Sequence, residues 1–282
     1  MLVGTKFLLV AGLVGFVLVC WLGELVAGLH RAVHLGPILA AVMACIPAVF
    51  WLGFFYLLDR HEPEPKQLVI GVCILGALIA APVADFFQSQ AVPPGALEQH
   101  GLSAFSLDRM LYAVLVVGLS QEMCKYAVVR YTVYQSREFD EPMDGIVYMM
   151  ACGTGFAVWV NYHRLSGQGN QVYLSTGAAQ AVVTTLAHAS FAGALGYVMG
   201  RAKFSRRSAP IRGALLLLGL LGAALLNGQF SVVEDWVQTT GMAQHPWRGV
   251  FYAAACASAV FAVIWFAAQR LLRDSPYKDR LA

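Results

Sequence analysis

The stretch MLYAVLVVGLSQEMCKYAVVRYTV, residues 110–133, decides the fold of this chain. It exceeds the roughly 20 apolar residues that a helix needs to cross the hydrocarbon core of a bilayer, so it predicts a transmembrane helix. Near its middle stand Gln121, Glu122 and Lys125, which a lipid-facing helix normally excludes. Ionisable residues at membrane depth usually mark a functional site inside a bundle. We therefore expect this helix to turn its polar face toward other helices.

The composition of the 282 residues indicates a polytopic membrane protein. Hydrophobic residues make up 59% of the chain and charged residues 12%, against roughly 25% charged residues in a typical soluble domain. The net charge of +3 comes without a basic and aromatic face of the kind that binds nucleic acid. We predict the lipid bilayer as a partner and no nucleic acid. The six cysteines lie in apolar segments without CxxC spacing, which argues against a disulfide framework and a cysteine-ligated zinc.

Eight apolar windows of transmembrane length can be placed along the chain. We predict an all-α integral membrane protein, a polytopic bundle of about eight transmembrane helices that forms a single transmembrane domain over residues 1–282, without a separate soluble domain. The windows lie near 7–29, 36–58, 68–87, 110–133, 146–163, 178–200, 213–238 and 249–271. The longest connection, near 88–109, is either a lid on the outer side or a linker.

The distribution of Lys and Arg predicts the orientation, because loops rich in these residues stay in the cytoplasm. With eight spans, the N-terminus, the even-numbered loops and the C-terminal tail share one side. Fourteen of the nineteen Lys and Arg residues lie on that side, four lie in the opposite loops, and Lys125 lies within a span. This pattern predicts cytoplasmic N- and C-termini.

A second titratable group is expected at the depth of Glu122. His188 lies about eleven residues from the outer end of the sixth window, and Glu122 about twelve from the outer end of the fourth. At 1.5 Å per residue, both lie roughly 17–18 Å deep. A carboxylate and an imidazole around one water would form a general base. The alternatives are a Glu122–Lys125 ion pair that only fixes helix packing and a histidine that bonds a backbone carbonyl.

Further polar residues inside predicted spans include Asn227, Asp85 and Glu24. Asn227, in the seventh window, can donate to an oxyanion or bond a neighbouring helix. Asp85 and Glu24 lie near the outer ends of their windows, and we expect both to contact the membrane interface.

Two acidic segments that contain proline stand directly at helix ends. They are DRHEPEP, residues 59–65, and EFDEPMDG, residues 138–145. Acidic side chains are favoured near a helix N-terminus by the helix dipole. We therefore expect these segments to cap the third and fifth helices, and the position of Asp144 fits this role well.

Taken together, these segments resemble the PrsW family of bacterial intramembrane proteases, which belongs with the prenyl-protein (CAAX) endopeptidases. The resemblance runs from about Asp59 to Ser231. It rests on DRHEPEP, on QEMCK at the family's Glu-Glu-x-x-Lys, on EPMDGIVY, on GFAVWVNY at its Gly-Phe-Ala-x-x-Glu-Asn, and on HASFAG at its first histidine motif. It implies a hydrolase of the bacterial cytoplasmic (inner) membrane that acts on transmembrane protein substrates.

The resemblance also implies which residues form the site. In the family, the glutamates of Glu-Glu-x-x-Lys and later histidines are thought to bind and activate water, in a site described both as metal-dependent and as glutamic. Three residues of this chain match: Glu122, Lys125 and His188. Three others stand where the family has glutamate, glutamate and histidine: Gln121, Val160 and Asn227.

We hypothesise an intramembrane endopeptidase in which Glu122 is the base and His188 its partner. In this hypothesis Gln121 and Asn227 are hydrogen-bond donors and Lys125 sets the charge of Glu122. Two alternatives stay open: a catalytically inactive pseudoprotease that binds transmembrane partners, and a small-solute or proton transporter that uses Glu122, Lys125 and His188 as a relay.

No cofactor is certain from the sequence. The resemblance allows a divalent metal such as zinc, with Glu122 and His188 as candidate ligands. Zinc usually takes three protein ligands. His163 is the remaining candidate for the third, but at the outer end of the fifth window we expect it to contact the membrane interface instead.

Overall fold

Eight long helices make up the described part of the chain, which in this computed structural model comprises residues 2–28, 33–59, 63–91, 106–167, 172–241 and 246–274. In chain order they are α1 (Leu2–Val26), α2 (Pro37–Tyr56), α3 (Lys66–Ala91), α4 (Leu107–Thr132), α5 (Pro142–Ser166), α6 (Leu174–Lys203), α7 (Ala209–Gly241) and α8 (Pro246–Asp274). Each contains a stretch long and apolar enough to cross a membrane. The predicted all-α fold with about eight transmembrane helices is therefore confirmed, while its organisation as a single domain stays a prediction.

The helix ends differ from the predicted windows where side chains cap them. α5 begins at Pro142, four residues before the predicted start, because Glu141 and Asp144 form a capping box around its first turn. Such a box satisfies backbone N–H groups that have no partner within the helix. Most of the loop expected between 88 and 109 lies outside the described residues, since α3 continues to Ala91 and α4 begins at Leu107.

α6 also begins four residues early, at Leu174, and its cap comes from another helix. Both carboxylate oxygens of Glu24 in α1 accept hydrogen bonds from Ser175, one from the backbone N–H at 3.1 Å and one from the hydroxyl at 2.5 Å. The orphan N–H groups at the start of α6 thus give the carboxylate partners within the protein, and the contact of the half-buried Glu24 with the membrane interface stays a prediction.

α5 and α6 form the centre of the bundle, and most of their side chains are buried. Their backbones come close at glycine: a Cβ on Gly153 would lie 2.5 Å from the backbone oxygen of His188. A larger residue would push the helices apart, so this glycine fixes how near His188 lies to α5. By contrast, α1, α7 and α8 lie at the periphery and expose large apolar side chains, as expected of helices that face lipid.

α4 and α7 also meet through glycine. The segment Ala113–Gly118 of α4 is π-helical, a conformation that is frequent at functional sites. A Cβ on Gly118 would collide with the backbone oxygen of Ala224, and one on Gly228 would lie 2.5 Å from the backbone oxygen of Ala113. This close approach places Asn227, the residue before Gly228, against the polar face of α4.

Candidate active site

Three helices bring all five predicted site residues into one buried cluster. α4 supplies Gln121, Glu122 and Lys125, α6 supplies His188 and α7 supplies Asn227. Glu122, Lys125 and Asn227 are 0% exposed, His188 is 5% exposed and Gln121 is 8% exposed. Buried polar groups are stable only when they are hydrogen-bonded or paired, so the contacts within the cluster determine its charge and its orientation.

Lys125 lies between the carboxylate and the imidazole. Its Nζ donates to Glu122 Oε1 at 2.6 Å and lies 3.3 Å from His188 Nδ1. A lysine ammonium has donors and no acceptor, so Nδ1 is the acceptor in this contact. The imidazole is therefore neutral and carries its proton on Nε2. The expected equal depth of Glu122 and His188 is consistent with this arrangement, but a lysine joins the two side chains.

The side-chain amide of Asn227 in α7 bonds two residues of α4. Its Nδ2 donates to Glu122 Oε1 at 2.8 Å and to Gln121 Oε1 at 3.0 Å. Both protons of the amide are thus committed to α4, and Glu122 Oε1 accepts from a lysine and an asparagine together. These bonds fix the orientation of the Glu122 carboxylate.

Two oxygens of the cluster remain without a hydrogen-bond partner among the described residues. They are Glu122 Oε2 and Asn227 Oδ1, and both are buried. A buried acceptor without a partner is costly and calls for a specific explanation, such as a bound water or a ligand. A water at Glu122 Oε2 would lie beside a carboxylate whose other oxygen is held by two donors.

The aromatic ring of Phe156 forms one wall of the cluster. Lys125 Nζ lies 4.5 Å from the centroid of this ring, and the His188 ring centroid lies 5.2 Å from it. The ring attracts the ammonium through its π face and limits contact with water. Phe156 was not among the predicted site residues, although its place in GFAVWVNY was a signal for it.

Two other positions singled out in the sequence lie outside the cluster: Val160, where the family has a glutamate, and His163, the candidate third zinc ligand. Val160 is half-buried, and His163 is exposed and packs on the ring of Trp159 with centroids 4.2 Å apart. Neither has a hydrogen bond to the cluster within the described part of the chain. Trp159 donates through Nε1 to Asp85 at 2.5 Å, which joins α3 and α5; Asp85 is exposed, and its contact with the membrane interface stays a prediction.

The donor set at Glu122 and His188 does not fit a zinc ion. Zinc is usually held by three protein ligands, and the rest of the cluster offers amide oxygens and an ammonium. The Lys125 ammonium also lies within hydrogen-bond distance of both candidate ligands, Glu122 Oε1 and His188 Nδ1. The Lys125 ammonium thus supplies the positive charge that a metal would bring between Glu122 and His188.

The two acidic segments meet in a second buried group of carboxylates. Asp59, Glu64, Glu141 and Asp144 are all buried, and carboxylate oxygens of Asp59, Glu141 and Asp144 lie within 4.8 Å of one another, a spacing that can hold a metal ion. The capping role predicted for Glu141 and Asp144 is confirmed, since Asp144 Oδ2 accepts from the Glu141 backbone N–H at 2.8 Å. The meeting of the two segments was not predicted.

Glu64 does not cap α3 with its side chain, contrary to expectation. Its carboxylate accepts a 2.5 Å hydrogen bond from the Tyr148 hydroxyl of α5. Burial raises the pKa of the Glu64 carboxyl to about 7, and the Asp59 and Asp140 carboxylates add to the rise, while hydrogen bonds with Asp144 and Tyr148 lower it. Glu64 therefore titrates close to neutral pH.

Comparison with known proteins identifies relatives over most of the chain. A family model described as PrsW family intramembrane metalloprotease matches residues 64–268. The chain is 30% identical over 229 residues to a protein named Protease PrsW from Geobacillus kaustophilus. The aligned residues cover 81% of this chain and 88% of the relative. A Protease PrsW from Bacillus subtilis is 28% identical over 195 residues, 68% of this chain and 82% of the relative.

A third relative, Protease PrsW from Oceanobacillus iheyensis, is 34% identical over 158 residues, 56% of this chain and 66% of the relative. No solved structure matches the chain. Each of these relatives carries the name of a protease, so the comparisons do not support the pseudoprotease alternative.

Proposed function

We propose, since the chain belongs to the PrsW family of intramembrane metalloproteases, that it is an endopeptidase which cleaves membrane-protein substrates with a water activated by Glu122. The observation that carries this proposal is the buried Glu122 carboxylate, which has two donors on Oε1 and no hydrogen-bond partner among the described residues on Oε2. A carboxylate held in this way is oriented and has one oxygen ready to accept a proton.

The proposed reaction begins with a water that donates to Glu122 Oε2. Glu122 takes a proton from this water as the oxygen attacks the carbonyl carbon of the scissile peptide bond, which gives a tetrahedral intermediate with a negatively charged oxygen. The protonated Glu122 then gives that proton to the leaving nitrogen, and the C–N bond breaks. The products are a new carboxylic acid, whose proton passes to the new amine to give a carboxylate and an ammonium, and Glu122 is again a carboxylate.

In this proposal His188 is the second titratable group of the site, and Lys125 links it to Glu122. Because Nδ1 accepts from the ammonium, the proton on Nε2 can be donated to the developing oxyanion, a contribution that is large in a site that excludes water. Gln121 keeps its Nε2 protons for the same purpose, since its Oε1 accepts from Asn227. Asn227 donates to Glu122 and Gln121, so in this proposal it orients the base, and it is a positioning residue.

Lys125 compensates the buried negative charge of Glu122. An uncompensated carboxylate in a low-dielectric interior is costly, and the 2.6 Å ion pair removes much of that cost. Zinc does not fit between Glu122 and His188, so we derive no step through a metal.

The proposed setting is the bacterial cytoplasmic membrane, with both termini on the cytoplasmic side. Support comes from the excess of Lys and Arg at one end of the eight spans and the positive-inside rule. The proposed partner is a membrane protein whose cleaved segment reaches the level of Glu122, which lies well inside α4.

Reconstitution of the full chain in liposomes with a panel of single-span bacterial proteins tests the proposal. We expect at least one substrate to give two fragments, with one ¹⁸O atom in the new carboxyl when the reaction runs in H₂¹⁸O. Glu122→Gln is the matched inactive control. Fragments that form equally with Glu122→Gln would assign the cleavage to another residue or to a contaminant, and an uncut panel would contradict the proposal.

A further inference from the structure

Two apolar grooves lie on either side of Tyr197 near one end of α6. One has a volume of about 430 Å³, lies between α6 and α7 and includes Val198 and Leu215 in its lining. The other has a volume of about 590 Å³, lies between α6 and α8 and includes Val263 and Phe266. Tyr197 is half-buried and lines both, so the grooves are neighbours on the surface of the bundle.

Each groove carries two arginines in its lining. Arg201 and Arg207 line the first, and Arg270 and Arg273 line the second. Arg201 follows Tyr197 by four residues on α6, which places the two on one helix face. All four arginines are exposed, and no Asp or Glu of the described chain lines either groove.

This combination fits a lipid better than it fits a water-soluble ligand. The arginines lie at or beyond the ends of membrane-spanning helices, since α6 ends at Lys203 and the apolar span of α8 ends at Arg273. Basic pockets between transmembrane helices recognise anionic headgroups. The apolar walls continue from the arginines toward Ala194 and Val263, in the direction in which acyl chains run, and Tyr197 is a residue type typical of the membrane interface.

We propose that the surface formed by these two grooves is a binding site for an anionic phospholipid. The arginines contact the headgroup phosphate, and the acyl chains lie along the grooves beside Tyr197. Neither groove is lined by Glu122, Lys125 or His188, so this inference does not depend on the proposed peptidase activity.

Native mass spectrometry of the full chain with phosphatidylglycerol or phosphatidylcholine in detergent micelles tests this site. The variants are Arg201→Gln with Arg207→Gln, and Arg270→Gln with Arg273→Gln. The matched control is Arg137→Gln with Arg206→Gln, which removes the same charge from exposed arginines that line neither groove.

We expect affinity for phosphatidylglycerol to fall by roughly five-fold for each groove arginine removed, which corresponds to the attraction of one basic residue for an anionic headgroup. The control pair is expected to bind like wild type, and phosphatidylcholine to bind more weakly throughout. An equal loss in the control pair would show diffuse attraction to a positive surface, and unchanged binding in both groove variants would exclude the site. Displacement of the lipid by inorganic phosphate alone would assign the arginines to a soluble anion. Any one of these last three results would overturn the proposal.

Discussion

Asn227 Nδ2 lies 2.8 Å from Glu122 Oε1 and donates a hydrogen bond to it across the interface of α7 and α4. The close packing of Gly118 and Gly228 against the facing backbones makes this bond possible. It links the position of a peripheral, lipid-facing helix to the orientation of the proposed base. Any displacement of α7 would therefore change the carboxylate directly.

Asn227→Ala should lower the cleavage rate by roughly 100-fold, the loss that a misplacement of about 1 Å can cause in an active site. The control is Ser231→Ala, one turn further along α7, whose hydroxyl donates to the Asn227 backbone oxygen at 3.1 Å. Initial rates in proteoliposomes measure the effect. Equal rates in the two variants would show that Asn227 does not position Glu122.

Lys125→Met should destabilise the fold by about 3 to 5 kcal/mol, because it leaves a buried carboxylate without its counter-charge. The double variant Lys125→Met with Glu122→Gln should recover most of this loss, since no net charge then remains in the cluster, yet stay inactive. Thermal unfolding in detergent measures both. Additive losses in the double variant would contradict the ion pair as the main role of Lys125.

Much of the fold follows from the sequence because the bilayer restricts it. Apolar windows of fixed length predicted eight helices, and the constant rise per residue placed Glu122 and His188 at similar depth. Span length and rise per residue do not give the rotation of a helix about its axis. The position of Lys125 between Glu122 and His188 was therefore not predicted. The pairs Glu24 with Ser175 and Asp85 with Trp159 join distant segments, and only the packed bundle brings them together.

The acidic segments show the same limit. Capping of α5 by Glu141 and Asp144 is local and could be predicted. The bond from Tyr148 to Glu64 spans 84 residues and could not. The sequence predicted that both acidic segments lie on the same side of the membrane. That prediction does not say which of their residues are in contact.

Metal chelation should leave the cleavage rate within about two-fold of the untreated protein, since the donors at Glu122 and His188 fall short of the usual three zinc ligands. Incubation with EDTA and 1,10-phenanthroline, followed by the proteoliposome assay, measures this. Elemental analysis supplies a readout independent of activity: the zinc content of wild type and of His188→Ala should be the same. One zinc per wild-type chain that is absent from both His188→Ala and Glu122→Gln would overturn the metal-free site.

Glu64 should make the protein less stable as the pH rises toward neutral and above. Its ordinary pKa of 4.5 is raised to about 7 in the folded protein by burial. Between these values the folded state keeps a proton that the unfolded state has released, so the free energy of unfolding decreases with rising pH. Below pH 4.5 both states are protonated, and the contribution is fully retained.

The check is the midpoint of thermal unfolding between pH 5 and pH 8. Glu64→Gln should make this decline shallower, because glutamine accepts the Tyr148 hydrogen bond without titrating. Glu138→Gln, an exposed residue near the same group of carboxylates, should follow the wild-type curve. A decline as steep in Glu64→Gln as in wild type would assign the titration to another group.

The central claim is that Glu122 activates the water, and the initial cleavage rates of Glu122→Gln and Met123→Leu on one substrate test it most directly. Glutamine can accept the hydrogen bonds from Lys125 and Asn227 but cannot take a proton from water. Met123 is 51% exposed in the same turn of α4, so its substitution controls for a general disturbance of the helix. We predict a fall of about 100-fold or more for Glu122→Gln and a rate within about two-fold of wild type for Met123→Leu. A Glu122→Gln rate within about ten-fold of wild type, below the usual effect of losing a general base, would contradict the claim.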